Sequence, residues 1–389
     1  MTRLLVISHT PHYLRDGEIV AWGPTVRELD CLARAFGFLT HLAPLHSGEA
    51  PASAIPYHSG RVRFRSVRPA GGESLWGKLD ALVAVPRYAW AVIYATREAD
   101  VVQVRCPCNV GLVACIVASF CRGKPRWAKY AGNWRPSLPE PLSYKLQRFW
   151  LESGWFGGPV TVNGRWPGQP PHVHSFLNPC LTERELENAR AATAAKRLSR
   201  PVRLVFVGKV VEHKGAVRVI EIAAGLAKRG IEVTLDIAGH GSAAERAIST
   251  ARESGIAGIV RFHGWQPPEA LGRLYSEAHF VLLPSSSEGW PKVLSEGMAY
   301  RAVPVASAVS SIGQVLRDTG GGIALRTLDT NLYVEAIERL VRSPGEWEAL
   351  AARSQAAAAS FTYEVYVDKI LHLMAHTYPE RGIATARHA

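Results

Sequence analysis

The run Glu288-Gly-Trp-Pro-Lys-Val-Leu-Ser-Glu296 decides how this chain is read. It follows Phe280-Val-Leu-Leu-Pro284, an unbroken apolar stretch of the kind shown by a strand buried on both faces. Pro291 suits the first position of a helix, where its missing N–H costs nothing and its φ is already helical. The run therefore predicts strand, loop and helix, with Glu288 in the loop and Glu296 one to two turns inside the helix. Trp290, Pro291, Lys292 and Val293 then form a helix start whose free N–H groups face out of the sheet's carboxyl end. The positive end of the helix dipole lies behind them. This arrangement suits a sugar nucleotide: amides for the diphosphate, one carboxylate for sugar hydroxyls, the other for ribose.

Working outward, apolar runs at residues 202–207, 233–237, 259–262, 280–283 and 303–306 are each followed by a helical pattern. The first half repeats the rhythm, with strands at 4–8, 39–43, 101–104, 126–130 and 160–162 and helices at 25–36, 75–97 and 111–121. Such alternation is the mark of a parallel sheet wrapped by helices. The expected fold class is α/β, with two doubly wound Rossmann-like domains facing across a cleft and ligands at the carboxyl ends of their strands. The expected divisions are a first domain at 1–178, a charged, alanine-rich and partly helical linker at 179–200 and a second domain at 201–360. A helix and loose tail occupy 361–389.

At 389 residues the chain is too long for one ordinary core, and 47% hydrophobic with 20% charged residues is globular composition. The apolar stretch 101–120 contains Arg105, Pro107 and Asn109, so it reads as strand, loop and helix rather than a membrane span. The N-terminus lacks a signal-peptide pattern, and the expected location is the cytoplasm, with a peripheral membrane position open. Six cysteines, at 31, 106, 108, 115, 121 and 180, form neither a disulfide framework nor paired zinc ligands. Residues 1–178 hold 20 Lys and Arg against 11 Asp and Glu, a balance of +9, which leaves +3 for the rest. The basic first half invites a polyanionic partner. Its densest stretch, Arg61-Val-Arg-Phe-Arg-Ser-Val-Arg68, alternates as a strand and reads either as a solvated face or as an anion-binding one.

Upstream of the glutamate pair stand Phe206-Val-Gly-Lys209 with Lys214-Gly215, then Ile237-Ala-Gly-His-Gly241 and Phe262-His-Gly264. With these motifs in this order, the sequence resembles the retaining glycosyltransferases of family 4, which have the two-domain GT-B fold. The resemblance is good over residues 200–343 and thinner over 1–178. It implies that Glu288 grips hydroxyls of the donor sugar and that Glu296 accepts hydrogen bonds from the ribose. It implies that Lys209 and Lys214 neutralise the leaving diphosphate, the main catalytic requirement in glycosyl transfer. Lysine stands at 209 where the family usually has arginine, which keeps the charge and loses the bidentate fork. The turn Gly264-Trp265-Gln266 would meet the nucleobase. Gly239 offers either a close ligand approach or a plain turn. In the first half, Gly23-Pro24-Thr25 offers amides to an anion or is a simple helix entrance.

Family members often carry a histidine after the strand at 126–130, where this chain has Ala131-Gly-Asn-Trp-Arg135. Asn133 can hydrogen-bond there but cannot shuttle a proton near neutral pH. His9 and His12 are the substitutes to consider. The helix at 75–97 reads first as a buried helix and second as a membrane-touching face, with a kink or break at Pro86.

The resemblance implies a retaining transferase that takes a nucleoside-diphosphate sugar, UDP-linked before GDP-linked. It implies a glycan or lipid-linked acceptor in cell-envelope or exopolysaccharide synthesis. No cofactor and no metal are expected, and no nucleic acid. The rival readings are a sugar-nucleotide epimerase of similar form, a nucleic-acid binder suggested by charge alone, and a catalytically silent scaffold.

Overall fold

A computed structural model describes residues 2–72, 74–121, 123–136 and 139–382. The chain divides into two compact units, Met1–Leu177 with Tyr363–Ala389, and Asn178–Thr362.

The first unit opens with β1 (Thr2–Ile7), whose Leu4-Leu5-Val6-Ile7 is wholly buried, as the centre of a parallel sheet requires. Residues 12–22 form a hairpin of β2 (His12–Arg15) and β3 (Glu18–Trp22). Its turn is Asp16-Gly17, both at positive φ, the conformation that Asp-Gly favours in a two-residue hairpin. α1 (Gly23–Phe36) follows, then β4 (Gly37–Pro44), β5 (Ala54–Pro56) paired with β3, and β6 (Val62–Val67). The expected helix at 75–97 is two helices, α2 (Leu75–Val83) and α3 (Val85–Glu98), broken at Ala84 just before Pro86. β7 (Val101–Cys106), α4 (Asn109–Phe120), β8 (Arg126–Tyr130), α5 (Leu142–Glu152), β9 (Val160–Val162) and β10 (Val173–Ser175) complete the run.

The seven-stranded sheet has the order β10-β9-β8-β7-β1-β4-β6. α3, α4 and α5 cover one face, with Tyr88, Val92, Val113, Cys115 and Leu151 in the core beneath them. α1 covers the other face, together with the chain's last long helix, described below.

The second unit begins with α6 (Glu183–Ala192). This helix lies in the segment expected as a partly helical linker, which groups with the second unit. Thr182 and Glu185 form a capping box, and Leu186 and Ala189 are buried. β11 (Val202–Val207), α7 (Ala216–Lys228), β12 (Val233–Ala238), α8 (Ala244–Glu253), β13 (Val260–Gly264), α9 (Pro268–Glu277) and β14 (Phe280–Leu283) follow. Then come α10 (Lys292–Ala299), β15 (Val303–Ser307), α11 (Ile312–Thr319), β16 (Ile323–Leu325), α12 (Thr330–Arg342) and α13 (Pro344–Ala358).

The six strands are parallel in the order β13-β12-β11-β14-β15-β16. The chain therefore builds outward from β11 to β13 and then restarts on the other side at β14. That reversal opens a crevice above the carboxyl ends of β11 and β14, the usual ligand position in open α/β sheets.

α14 (Tyr363–Thr377) belongs to the first unit, where Tyr366, Ile370, Leu371 and Met374 pack with Leu29, Leu32 and Trp127. Of the tail expected at 379–389, residues 383–389 lie outside the described residues.

Candidate active site

The segment between β11 and α7 turns sharply through a 3-10 turn, Glu212–Lys214, and Gly215 at φ 83°. A Cβ on Gly215 would stand 2.3 Å from the Pro284 carbonyl oxygen, so only glycine lets this turn lie against the end of β14. Ser286 N–H donates to the His213 carbonyl at 2.8 Å, and Arg218 Nε donates to the Pro284 carbonyl at 2.7 Å. These contacts lock the loops after β11 and β14 together and deliver Lys214 to Glu288. The Lys214 ammonium donates to both carboxylate oxygens, at 2.7 and 2.6 Å. The Glu288 side chain is 5% exposed and that of Lys214 25%. One of the three ammonium hydrogens remains beyond those two bonds.

The Glu288 loop is pinned from below. Ser311 Oγ donates to the Gly289 carbonyl at 3.3 Å. The Trp290 indole is buried, stacks on Phe361 with centroids 5.0 Å apart, and donates Nε1–H to Ser295 Oγ at 3.2 Å. The Trp290 side chain is thus an anchor for this loop rather than an open ligand contact. Pro291 is the residue before the helix rather than its first member, because its ψ of 115° is extended. Lys292 and Val293 open α10, and the Leu294 N–H that follows bonds the Pro291 carbonyl at 3.1 Å. Glu296 lies one turn further on, half-buried, and accepts the Tyr275 hydroxyl of α9 at 3.1 Å. Burial, reinforced by Glu296, pushes the Tyr275 phenol well above its ordinary pKa, so it stays a donor.

The loops after β11, β12 and β13 are tied backbone to backbone. Val210 N–H meets the His240 carbonyl at 2.9 Å, and Gly239 N–H meets that of Gly264 at 2.7 Å. The open role for Gly239 is therefore filled by chain packing: at φ 144°, a Cβ there would be 1.8 Å from the Gly208 carbonyl oxygen. Lys209 is exposed in this cluster and has no carboxylate partner among the described residues. Trp265 is exposed, and Gln266 donates Nε2–H to the His263 carbonyl at 2.7 Å. Among the described residues, no group of three or more His, Cys, Asp or Glu side chains is gathered to hold a metal.

In the first unit the sheet order reverses between β1 and β7, and His9 stands exposed just after β1. Its pKa is lowered, first by desolvation and then by Arg105. His12 is withdrawn from any substrate. It is buried in β2, with Nδ1 on the Thr10 carbonyl at 2.8 Å and Nε2 on the Tyr57 hydroxyl at 2.7 Å. Gly23 is not an open donor either, because its N–H goes to the Ser53 carbonyl at 3.1 Å under β5. Asn133 is half-buried, and its Oδ1 accepts the Arg135 N–H at 3.1 Å. A buried trio escaped the sequence reading: Glu28 accepts Lys129 at 2.7 and 2.8 Å and faces Arg105 at 3.3 Å. Nothing in the sequence links residues on α1, β7 and β8 before the sheet order is known.

Burial holds His12, and also His279 of the second unit, at pKa values of about 4. An unfolded histidine takes a proton near pH 6.5, so each folded, neutral ring adds stability that is complete above that pH. It is lost as pH falls towards 4, on the order of 3 kcal/mol per ring. The urea midpoint is expected to drop between pH 7 and pH 4.5, and an unchanged midpoint would show that both rings are protonated in place.

Residues 191–359 match the family model described as glycosyl transferases group 1. Among curated relatives, the D-inositol 3-phosphate glycosyltransferase of Corynebacterium urealyticum is 30% identical over 212 residues, 52% of this chain and 50% of that protein. The chain thus spans about half the length of the curated relatives it matches. Sucrose-phosphate synthase from Thermosynechococcus elongatus superposes with a TM-score of 0.70 at 17% identity, covering 98% of this chain and all of that one. HepE of Anabaena, in complex with UDP and glucose, gives 0.68 at 15% identity, with 96% of this chain and all of the other covered. The fold of this chain is that of the GT-B glycosyltransferases.

Proposed function

We propose that this chain is a retaining glycosyltransferase of the family 4 kind. It moves a sugar from a nucleoside diphosphate, UDP before GDP, to a glycan or lipid-linked acceptor in envelope or exopolysaccharide synthesis. The observation that carries the reading is the Lys214–Glu288 pair, set where the strand order of the second unit reverses. A diphosphate placed there meets the third Lys214 hydrogen, the Lys209 ammonium and the opening amides of α10. All three oppose charge that grows on the leaving oxygen, and being preorganised they add most in the transition state. Glu288, held rigid by Lys214, accepts hydroxyls of the donor sugar, while Tyr275 turns Glu296 towards the ribose. Transfer proceeds by front-face attack, the acceptor entering on the side the diphosphate leaves, and needs neither cofactor nor metal. The matched model over residues 191–359 supports the donor half of this reading. The UDP bound by HepE supports the nucleotide.

A thermal-shift panel of nucleotide sugars tests the class directly. One UDP-sugar is expected to stabilise the protein selectively, whereas stabilisation by none, with steep salt-dependent retention on DNA, would favour a nucleic-acid binder. Consumption of the donor without any acceptor, giving an epimer, would favour the epimerase.

Lys209 gives the cleanest side-chain test because it is exposed and unpaired. Lys209→Ala is expected to leave the melting temperature unchanged and to weaken UDP binding about tenfold, or ~1.4 kcal/mol. Unchanged affinity by calorimetry would remove Lys209 from the phosphate site.

A further inference from the structure

The stretch that leaves α6, within the expected linker, is tied by its side chains to α9 and α10. The half-buried Lys196 ammonium donates to the Tyr275 carbonyl at 3.0 Å and to the Tyr300 carbonyl at 2.7 Å. Tyr275 lies in the last turn of α9, and Tyr300 directly follows α10. Both carbonyls therefore sit at helix ends, where the helix supplies no N–H for them and its dipole is negative. One cation closes two helices at once.

The same ends are fixed in two further ways. Gln355 of α13 donates from Nε2 to the Ala299 carbonyl at 2.8 Å and to Thr193 Oγ1 at 3.0 Å, which sews the end of α10 to the end of α6. The Tyr275 and Tyr300 rings stack with centroids 6.0 Å apart. Gly272 of α9 leaves room for that stack, since a Cβ there would stand 2.8 Å from the Tyr300 hydroxyl oxygen. Glycine inside a helix is unfavourable relative to alanine, so the close approach is kept against helix propensity.

All of this bears on one carboxylate. The buried Tyr275 projects its hydroxyl from α9 to Glu296 Oε2 on α10, at 3.1 Å. A relative shift of the two helices would misalign that bond, and a ring packed on all sides cannot turn to follow. We propose that Lys196 and Tyr275 are positioning residues for ribose recognition: by fixing the ends of α9 and α10 together they aim Glu296, and so set how strongly the second unit prefers a ribonucleotide to its 2′-deoxy counterpart. The inference rests on the proposed binding of a nucleoside diphosphate at this site. A carboxylate aimed at a sugar hydroxyl gains a charge-assisted bond, which a deoxyribose cannot supply. The bond is directional, so discrimination falls when Glu296 is released to turn. Lys209, Lys214 and the start of α10 bear on the phosphates, which are the same in both nucleotides.

Isothermal titration calorimetry with UDP and with 2′-deoxy-UDP tests the proposal, because only the sugar differs between them. The wild type is expected to favour UDP about tenfold. Tyr275→Phe removes the hydroxyl alone, and Lys196→Met removes the ammonium from a stem of similar length. Each is expected to cut the preference at least ~3-fold, chiefly by weakening UDP. The double variant should fall no further than Tyr275→Phe, since both changes act through Glu296. Lys209→Ala should weaken both nucleotides alike and leave the preference in place. Lost stability lowers the melting temperature without changing the ratio, so each titration is run well below the variant's melting point. Lys196→Gln, which keeps an amide donor without the charge, replaces the methionine variant if that one does not fold, with the same fall expected. If the protein selects GDP, then GDP and 2′-deoxy-GDP are read in the same way. An unchanged preference in either single variant would overturn the proposal, as would losses that add in the double variant. A wild type that binds ribo- and deoxy-forms equally would overturn it and leave the transfer reading standing. Binding of neither UDP nor GDP would remove that reading, and this inference with it.

Discussion

Replacing Glu288 by glutamine is expected to lower kcat/KM for transfer by roughly 10²- to 10³-fold, the range seen when one preorganised electrostatic group is removed from an active site. Glutamine keeps the shape of the side chain and one acceptor for Lys214. It removes the negative charge that fixes the ammonium and adds an NH2 group facing it. The loss should fall on kcat more than on KM for the donor, because the diphosphate contacts of Lys209 and α10 remain. Some stability is also lost, since the ion pair is largely shielded from water and its two members hold adjacent loops. Steady-state kinetics at a temperature well below the variant's melting point separate the two effects. A variant that folds and turns over at the wild-type rate would show that Glu288 is only a structural clasp for Lys214.

The second large effect concerns the scaffold. Gly239→Ala is expected to destabilise the protein by roughly 3 kcal/mol or more. Its Cβ would fall 1.8 Å from the Gly208 carbonyl oxygen, a backbone atom that cannot rotate away, at a φ of 144° that alanine avoids. Relief requires separating the loops after β11 and β12, which also displaces Lys209. Gly258→Ala is the matched control: nothing stands within 4 Å of its Cβ position, and its melting temperature should stay near wild type. Equal melting temperatures for the two variants would contradict the tight loop packing described above.

These two residues mark how far the sequence could be read. The β14–α10 segment was legible because a four-residue buried strand and a helix-initiating proline are local signals, and they located Glu288 and Glu296 correctly in loop and helix. Gly239 was visible as a glycine, but its reason was not, since the clash lies with a carbonyl from another loop. The Lys214–Glu288 contact spans 74 residues and exists only because β14 pairs with β11. Tyr275 on Glu296 escaped for the same reason. The hairpin at 12–22 is marked locally only by Asp16-Gly17, a two-residue turn between short strands. The outer faces of α2 and α3 could not be sorted from their inner faces in sequence, because both sides are apolar and periodicity then carries no sign of direction.

The most direct test of the central claim, that a nucleoside-diphosphate sugar is held at the strand-order reversal of the second unit, is amide hydrogen exchange with and without the stabilising UDP-sugar. The account predicts slowed exchange at residues 208–216, 264–266 and 289–296. Protection confined to residues 2–177, or absent from the whole second unit under saturating ligand, would contradict it.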